Sequence, residues 1–174
     1  MAFPPFQSRQ AVVIHAPLQV VWEFNQDLTN IAAYHPRVER VELISGKRER
    51  GRGVAYRCHL TDGKNTCVEK DLEVVPMERI VTALPEDTMG ITKMLPDYLV
   101  EARLTPLAEN ETKVEFRHFY STKSLKAKVF NIIAKRKIAR DAQDTLEAMK
   151  RTVENHASSS FKRQKEHAAY DQDA

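Results

Sequence analysis

The stretch Ser124-Leu-Lys-Ala-Lys-Val-Phe-Asn-Ile-Ile-Ala-Lys-Arg-Lys-Ile-Ala-Arg-Asp-Ala-Gln-Asp-Thr-Leu-Glu-Ala-Met-Lys-Arg-Thr-Val-Glu-Asn-His156 decides the reading of this chain. It holds no Pro or Gly, Ser124 suits the N-cap, and most of its residues are good helix formers. Leu125, Val129, Ile132, Ala139, Leu146, Met149 and Val153 recur at steps of three, four and seven, which predicts one apolar helical face. A helix of this length spans roughly 50 Å at about 1.5 Å per residue. Everything before it reads as short strands and two short helices. The expected architecture is therefore an α+β domain in which a curved sheet grips one long helix.

The chain has 174 residues, enough for one domain with a core and a cavity inside it. A net charge of +3 is too small to imply nucleic acid. No apolar run approaches the length of a membrane span. The opening Met-Ala-Phe-Pro-Pro-Phe lacks the regions of a signal peptide. With two cysteines, this points to a reducing cytoplasm. No second Cys or His pair stands at ligand spacing, so neither a metal nor a cofactor is expected.

Working outward, Ser8 to Ala16 predicts a first strand. Pro17 suits the start of a helix carrying Val21, Trp22, Phe24 and Leu28. Thr29 is read as the cap of a second short helix that ends at His35-Pro36. Val38–Ser45 is the next strand, and Gly46-Lys-Arg-Glu-Arg-Gly-Arg-Gly53 reads as a solvated basic turn. Val54–Leu60 and Lys64–Val75 form a hairpin around Thr61-Asp62-Gly63. Arg79–Leu84, Tyr98–Leu107 and Thr112–Ser121 complete seven strands, with a longer connection from Pro85 to Pro96. The domain is expected over residues 8–156, with a polar, disordered or frayed tail over 157–174.

This order resembles the START-like helix-grip superfamily, which includes polyketide cyclases/dehydrases and lipid-transfer domains. The residues that carry the resemblance are Ile14-His15-Ala16-Pro17, Val21-Trp22, Asp27, His35-Pro36 followed by Val38, Gly51-Arg-Gly53, and the terminal helix. The resemblance covers roughly residues 9 to 156. It implies a cavity for a hydrophobic molecule between sheet and helix. It carries over no catalytic residues, because the superfamily shares none.

Alternation sorts the strand residues between two faces. The inner face is read as Val54, Tyr56, Cys58 and Leu60; Val68, Lys70, Leu72 and Val74; Ile80, Thr82 and Leu84; Tyr98, Val100, Ala102 and Leu104; and Val114, Phe116, His118 and Tyr120. The candidate ligand-binding residues are accordingly Tyr56, Lys70, Tyr98, Val100, Phe116, His118 and Tyr120 on the sheet, and Val129, Ile132, Ile133 and Arg136 on the helix. A mostly apolar pocket with a few convergent polar groups is what a ligand site looks like. Each polar residue taken singly reads as a satisfied core group, and the tyrosine rings either fill the space or turn their hydroxyls into it. A three-residue loop at Thr61–Gly63 pairs Tyr56 with Val68 and keeps apolar sides together. In that register Cys58 and Cys67 face opposite ways and stay free.

The expected function is the binding or carriage of a small, mainly hydrophobic, lipid- or polyketide-like ligand. The alternatives are a cyclase/dehydratase-like or hydrolytic enzyme using His118 and Tyr120, and a partner-binding module using the basic helix. Peripheral membrane contact through that helix is open. The plainer reading makes it a solvated face, because the apolar residues are needed for the core.

Overall fold

The computed structural model describes residues 2–122 and 125–170, apart from the side chains of 126, 127 and 160–170. Ser124, the expected N-cap, lies outside the described residues. The strands are β1 (Phe6–Ile14), β2 (Val38–Glu42), β3 (Ala55–Leu60), β4 (Thr66–Val75), β5 (Arg79–Asp87), β6 (Leu99–Ala108) and β7 (Glu111–Phe119). They form one antiparallel sheet in the order β1-β7-β6-β5-β4-β3-β2. Between β1 and β2 lie α1 (Leu18–Gln26), a single 3-10 turn (Leu28–Asn30) and α2 (Ile31–Tyr34). The helix α3 (Ile91–Met94) interrupts the connection after β5, and α4 (Leu125–Tyr170) closes the chain. This is the helix-grip α+β architecture. No described helix is long and apolar enough to cross a membrane.

The break after β1 follows from Pro17, whose missing N–H costs nothing at a helix start and whose φ of −59° is already helical. The helix it begins buries Val21, Trp22 and Phe24 against Ile14, Val114, Leu146 and Met149 in one cluster. Asp27, rather than Thr29, caps the next turn: its carboxylate accepts the Thr29 N–H at 2.9 Å. The Arg48 guanidinium beside it, at 2.6 Å, holds the Asp27 carboxyl down at about 2.

Helix α4 presents Ala134, Ala142, Leu146, Met149, Val153 and Ala157 to the interior. It continues past His156 to Tyr170. The Ser158 and Ser159 hydroxyls donate to the carbonyls of Glu154 and Asn155, each at 2.9 Å, which lets them sit inside a helix. The first third behaves differently from the expectation: Leu125, Val129, Phe130, Ile132 and Ile133 are exposed.

Two other expectations fail around the β3–β4 hairpin. Its loop has four residues, not three. The Asp62 carboxylate accepts the N–H groups of Lys64 and Asn65, at 3.1 and 2.8 Å, and draws Lys64 into the turn. Leu60 then bonds Asn65, Tyr56 stands opposite Glu69, and Cys58 opposite Cys67. The one-residue shift turns Cys67, Glu69 and Asp71 inward and leaves Lys70 exposed. The loop over residues 46–53 is exposed at 46–49, 52 and 53, as a solvated turn would be, but Arg50 departs from that reading. The Leu28 and Arg50 N–H groups donate to the Arg48 and Gln26 carbonyls, both at 2.9 Å. Gly53, at φ +85°, donates its N–H to Asp71 O. This seats Arg50 in the interior, its side chain 9% exposed.

Candidate functional site: a cavity between sheet and long helix

A cavity of about 270 Å³ lies between the inner face of the sheet and α4. Ile80, Thr82 and Leu84 of β5, Val100 and Ala102 of β6, and Phe116 and His118 of β7 form its floor. Ile138, Asp141, Ala142 and Thr145 of α4 form its roof. One end is closed by Ile31, Tyr34 and Val38, the other by Met89 and Ile91. The Arg37–Asp141 pair, 2.6 Å apart and about two-fifths exposed on each side, stands where the lining reaches solvent. The small residues Ala102, Thr82 and Ala83 on a curved floor keep the space open beneath a straight helix.

Besides Arg37, His35, Asp141 and Thr145 near α4, two buried polar groups interrupt this mainly apolar lining. The first is a buried network around Arg50. Its guanidinium donates to the Asn25 carbonyl at 2.9 Å, to Tyr56 Oη at 2.9 Å and to Asp71 Oδ1 at 3.0 Å. The Tyr56 hydroxyl in turn donates a hydrogen bond to Glu69 Oε2 at 2.6 Å, and Thr82 donates to Asp71 Oδ1 at 2.9 Å. Burial raises both carboxyls above their ordinary values, and Arg50 opposes that shift. One fixed cation thus faces two acids that hold protons more tightly than usual. Arg50, Glu69 and Thr82 line the cavity.

The second group is His118 with Tyr98. The Tyr98 hydroxyl lies 3.0 Å from His118 Nδ1. Burial lowers His118 to about 4, so the ring is neutral at ordinary pH, and it raises the Tyr98 hydroxyl. His118 Nε2 is buried with no hydrogen-bond partner among the described residues. A buried nitrogen left unsatisfied costs free energy unless something else meets it. His118 is one of the residues that line the cavity.

Of the candidate residues, Tyr98, Val100, Phe116 and His118 lie in the lining of the cavity. Tyr56 and Tyr120 are fully buried but lie behind the wall. Tyr56 is committed to Glu69; Tyr120 stacks on Tyr98 at 5.2 Å and donates to Asn131 Oδ1 at 2.6 Å. Lys70 is exposed because of the hairpin shift. Val129, Ile132, Ile133 and Arg136 are exposed because the first third of α4 turns another side inward. Sequence reasoning missed Arg50, Glu69, His35, Arg37, Asp141 and Thr145. For Arg50 a signal existed: a lone buried arginine is what two acids on an inner strand face require.

Among the described residues, Cys58, Cys67 and Glu69 bring potential metal-ligand atoms within 4.8 Å of one another. The sulfurs share a face, contrary to the expected register, and both thiols are free. Glu69 already accepts from Tyr56, and the Arg50 charge beside it disfavours a second cation.

No curated protein matches this chain in sequence. The profile of the family described as polyketide cyclase/dehydrase and lipid transport matches residues 5–154. The structure is similar to the Zhui aromatase/cyclase from Streptomyces sp. R1128, with a TM-score of 0.66 and 20% identity, over 84% of this chain and 92% of that one. It is also similar to a START superfamily protein from Mycobacterium smegmatis, with a TM-score of 0.61 and 12% identity, over 89% of this chain and 99% of that one. At such identities these structural likenesses speak for the fold alone.

Proposed function

We propose, from the premise that this chain belongs to the polyketide cyclase/dehydrase and lipid-transport family, that it binds one compact, mainly apolar molecule bearing polar substituents at two places. The observation that carries this reading is a mainly apolar cavity whose lining includes Arg50 and Glu69 at one place and His118 at another. A volume of about 270 Å³ stands just under the roughly 300–1,000 Å³ of ordinary ligand pockets. That favours a small ring system over a long acyl chain. Glu69 and Arg50 supply a carboxyl group and a cation for a hydroxyl or carbonyl at one end. His118 meets a hydroxyl or carbonyl on the β7 side.

A catalytic reading draws on one specific observation. His118 is neutral and held by Tyr98; with Nδ1 accepting from the Tyr98 hydroxyl, Nε2 carries the ring proton, which is how a general acid or hydrogen-bond donor is presented. Tyr98 takes the place that Tyr120 held in the sequence reading, because the Tyr120 hydroxyl is occupied by Asn131.

Native mass spectrometry of freshly purified protein tests the binding reading. The expected result is one small, extractable organic adduct per chain, lost in Val100→Trp. Protein that stays free of adduct, even after incubation with hydroxylated aromatic compounds, would count against it.

A further inference from the structure

We propose that the first turns of α4 are a docking face for an anionic lipid bilayer. Leu125, Val129, Phe130, Ile132 and Ile133 are 79, 60, 41, 66 and 74% exposed. At about 100° per residue, Leu125, Ile132 and Ile133 lie within about 60° of Val129 on the helix surface. Ala134, Ile138 and Ala142, which face the protein, fall on the opposite side. The segment is therefore apolar on both faces, and only one of them has a partner among the described residues. Exposed apolar side chains grouped this closely mark an interaction surface rather than scattered surface residues.

The charges around this face select the occupant. Lys128 and Lys135 flank it, and Arg136, Lys137 and Arg140 continue it toward the C-terminus, all exposed. No acidic residue occurs between Leu125 and Arg140. An apolar stripe bordered by cations fits the boundary between headgroups and acyl chains of an anionic membrane. A second copy docked on the same face would set these five cations against their equals. Five side chains over nine residues also offer little area beside the roughly 1,200 Å² of a stable dimer. A nucleic acid would meet the cations but leave the apolar centre unsatisfied. Phe3 and Phe6, which pack against Phe119 and are themselves exposed, lie on the chain just before Gln7. Gln7 accepts from Asn131 of the same helical segment at 3.3 Å. They add apolar surface at that end of the molecule. Farther along, the same helix roofs the cavity, so a docked helix would hold the binding site beside the membrane.

The experiment is sedimentation of the full chain with vesicles of phosphatidylcholine alone or with phosphatidylglycerol added. The proposal expects binding to the phosphatidylglycerol vesicles, weakened by salt. Ile132→Glu with Ile133→Glu should abolish it while the thermal unfolding midpoint holds, because both side chains are exposed. Arg136→Gln with Arg140→Gln should weaken it about thirty-fold, at about 1 kcal/mol per cation near an anionic surface. Absence of wild-type binding, or undiminished binding by the double glutamate variant, overturns the proposal. A concentration-dependent wild-type dimer that the double glutamate variant dissolves, with no vesicle binding, also overturns it and assigns the face to self-association.

Discussion

Replacing Arg50 by Met keeps the length of the side chain and removes its charge. In the folded protein that charge is 9% exposed and lies 3.0 Å from Asp71, which is fully buried. The change also orphans the Asn25 carbonyl and leaves the Tyr56 hydroxyl without its donor. Breaking one partner out of a buried ion pair costs about 3–5 kcal/mol, a large share of the about 5–15 kcal/mol that holds a domain folded. The pH dependence follows in sign. Asp71 and Glu69 are raised by burial, and Arg50 pulls both back. Without it they rise further. A carboxyl raised on folding weakens the folded state above its folded value, and that penalty fades as pH falls toward the unfolded value. The deficit of Arg50→Met relative to wild type should therefore be largest at pH 8 and shrink at pH 5. Adding Asp71→Asn should recover part of it. Urea unfolding at both pH values, with equal slopes, is the assay. A deficit under about 1 kcal/mol, the scale of an exposed pair, or one that ignores pH, would refute the buried-network account.

Two further outcomes are expected. His118, lowered by burial from 6.5 to about 4, takes up a proton on unfolding, so stability should fall by on the order of 3 kcal/mol as pH drops through that window. His118→Gln should flatten that limb in part, since His35 is lowered over the same range, and an unchanged limb would contradict the burial of His118. Cys58 and Cys67 are direct partners in a hydrogen-bonded pair, where Cα atoms stand about 5.5 Å apart, within disulfide range. Diamide should cross-link them within one chain, with a loss of two hydrogens by mass that Cys67→Ser prevents. Failure to bridge would point back to the three-residue hairpin loop.

The order of elements was legible because it rests on local chemistry. Pro17 after Ile14-His15-Ala16, the lone Trp22 one turn later, and the absence of helix breakers after Pro106 each force a local structure. The faces of β4 were not legible, because alternation assumes an unbroken ladder. The ladder here has irregularities at Val68/Lys70 and Asp71/Glu73, and the Asp62 cap sets a register that apolar pattern alone opposes. Arg50, eight residues away from Cys58 in a loop that reads as solvated, makes the two acids tolerable together with the Tyr56 and Thr82 hydroxyls. The reading of α4 failed by drift. A stripe followed in steps of seven turns about 20° per heptad on a straight helix. Leu146, Met149 and Val153 were therefore aligned with Leu125 and Val129 across a rotation that takes the latter out of the core.

The cavity itself is the central claim, and a titration of anilinonaphthalene sulfonate tests it most directly. Wild type and Ile132→Glu/Ile133→Glu should each bind one equivalent with enhanced fluorescence. Val100→Trp, placed on the cavity floor, should bind none while unfolding cooperatively with a stability close to wild type. If Val100→Trp binds as wild type does, or loses the about 1–3 kcal/mol of an overpacked core, the space between sheet and helix is filled and the protein is not a carrier of small molecules.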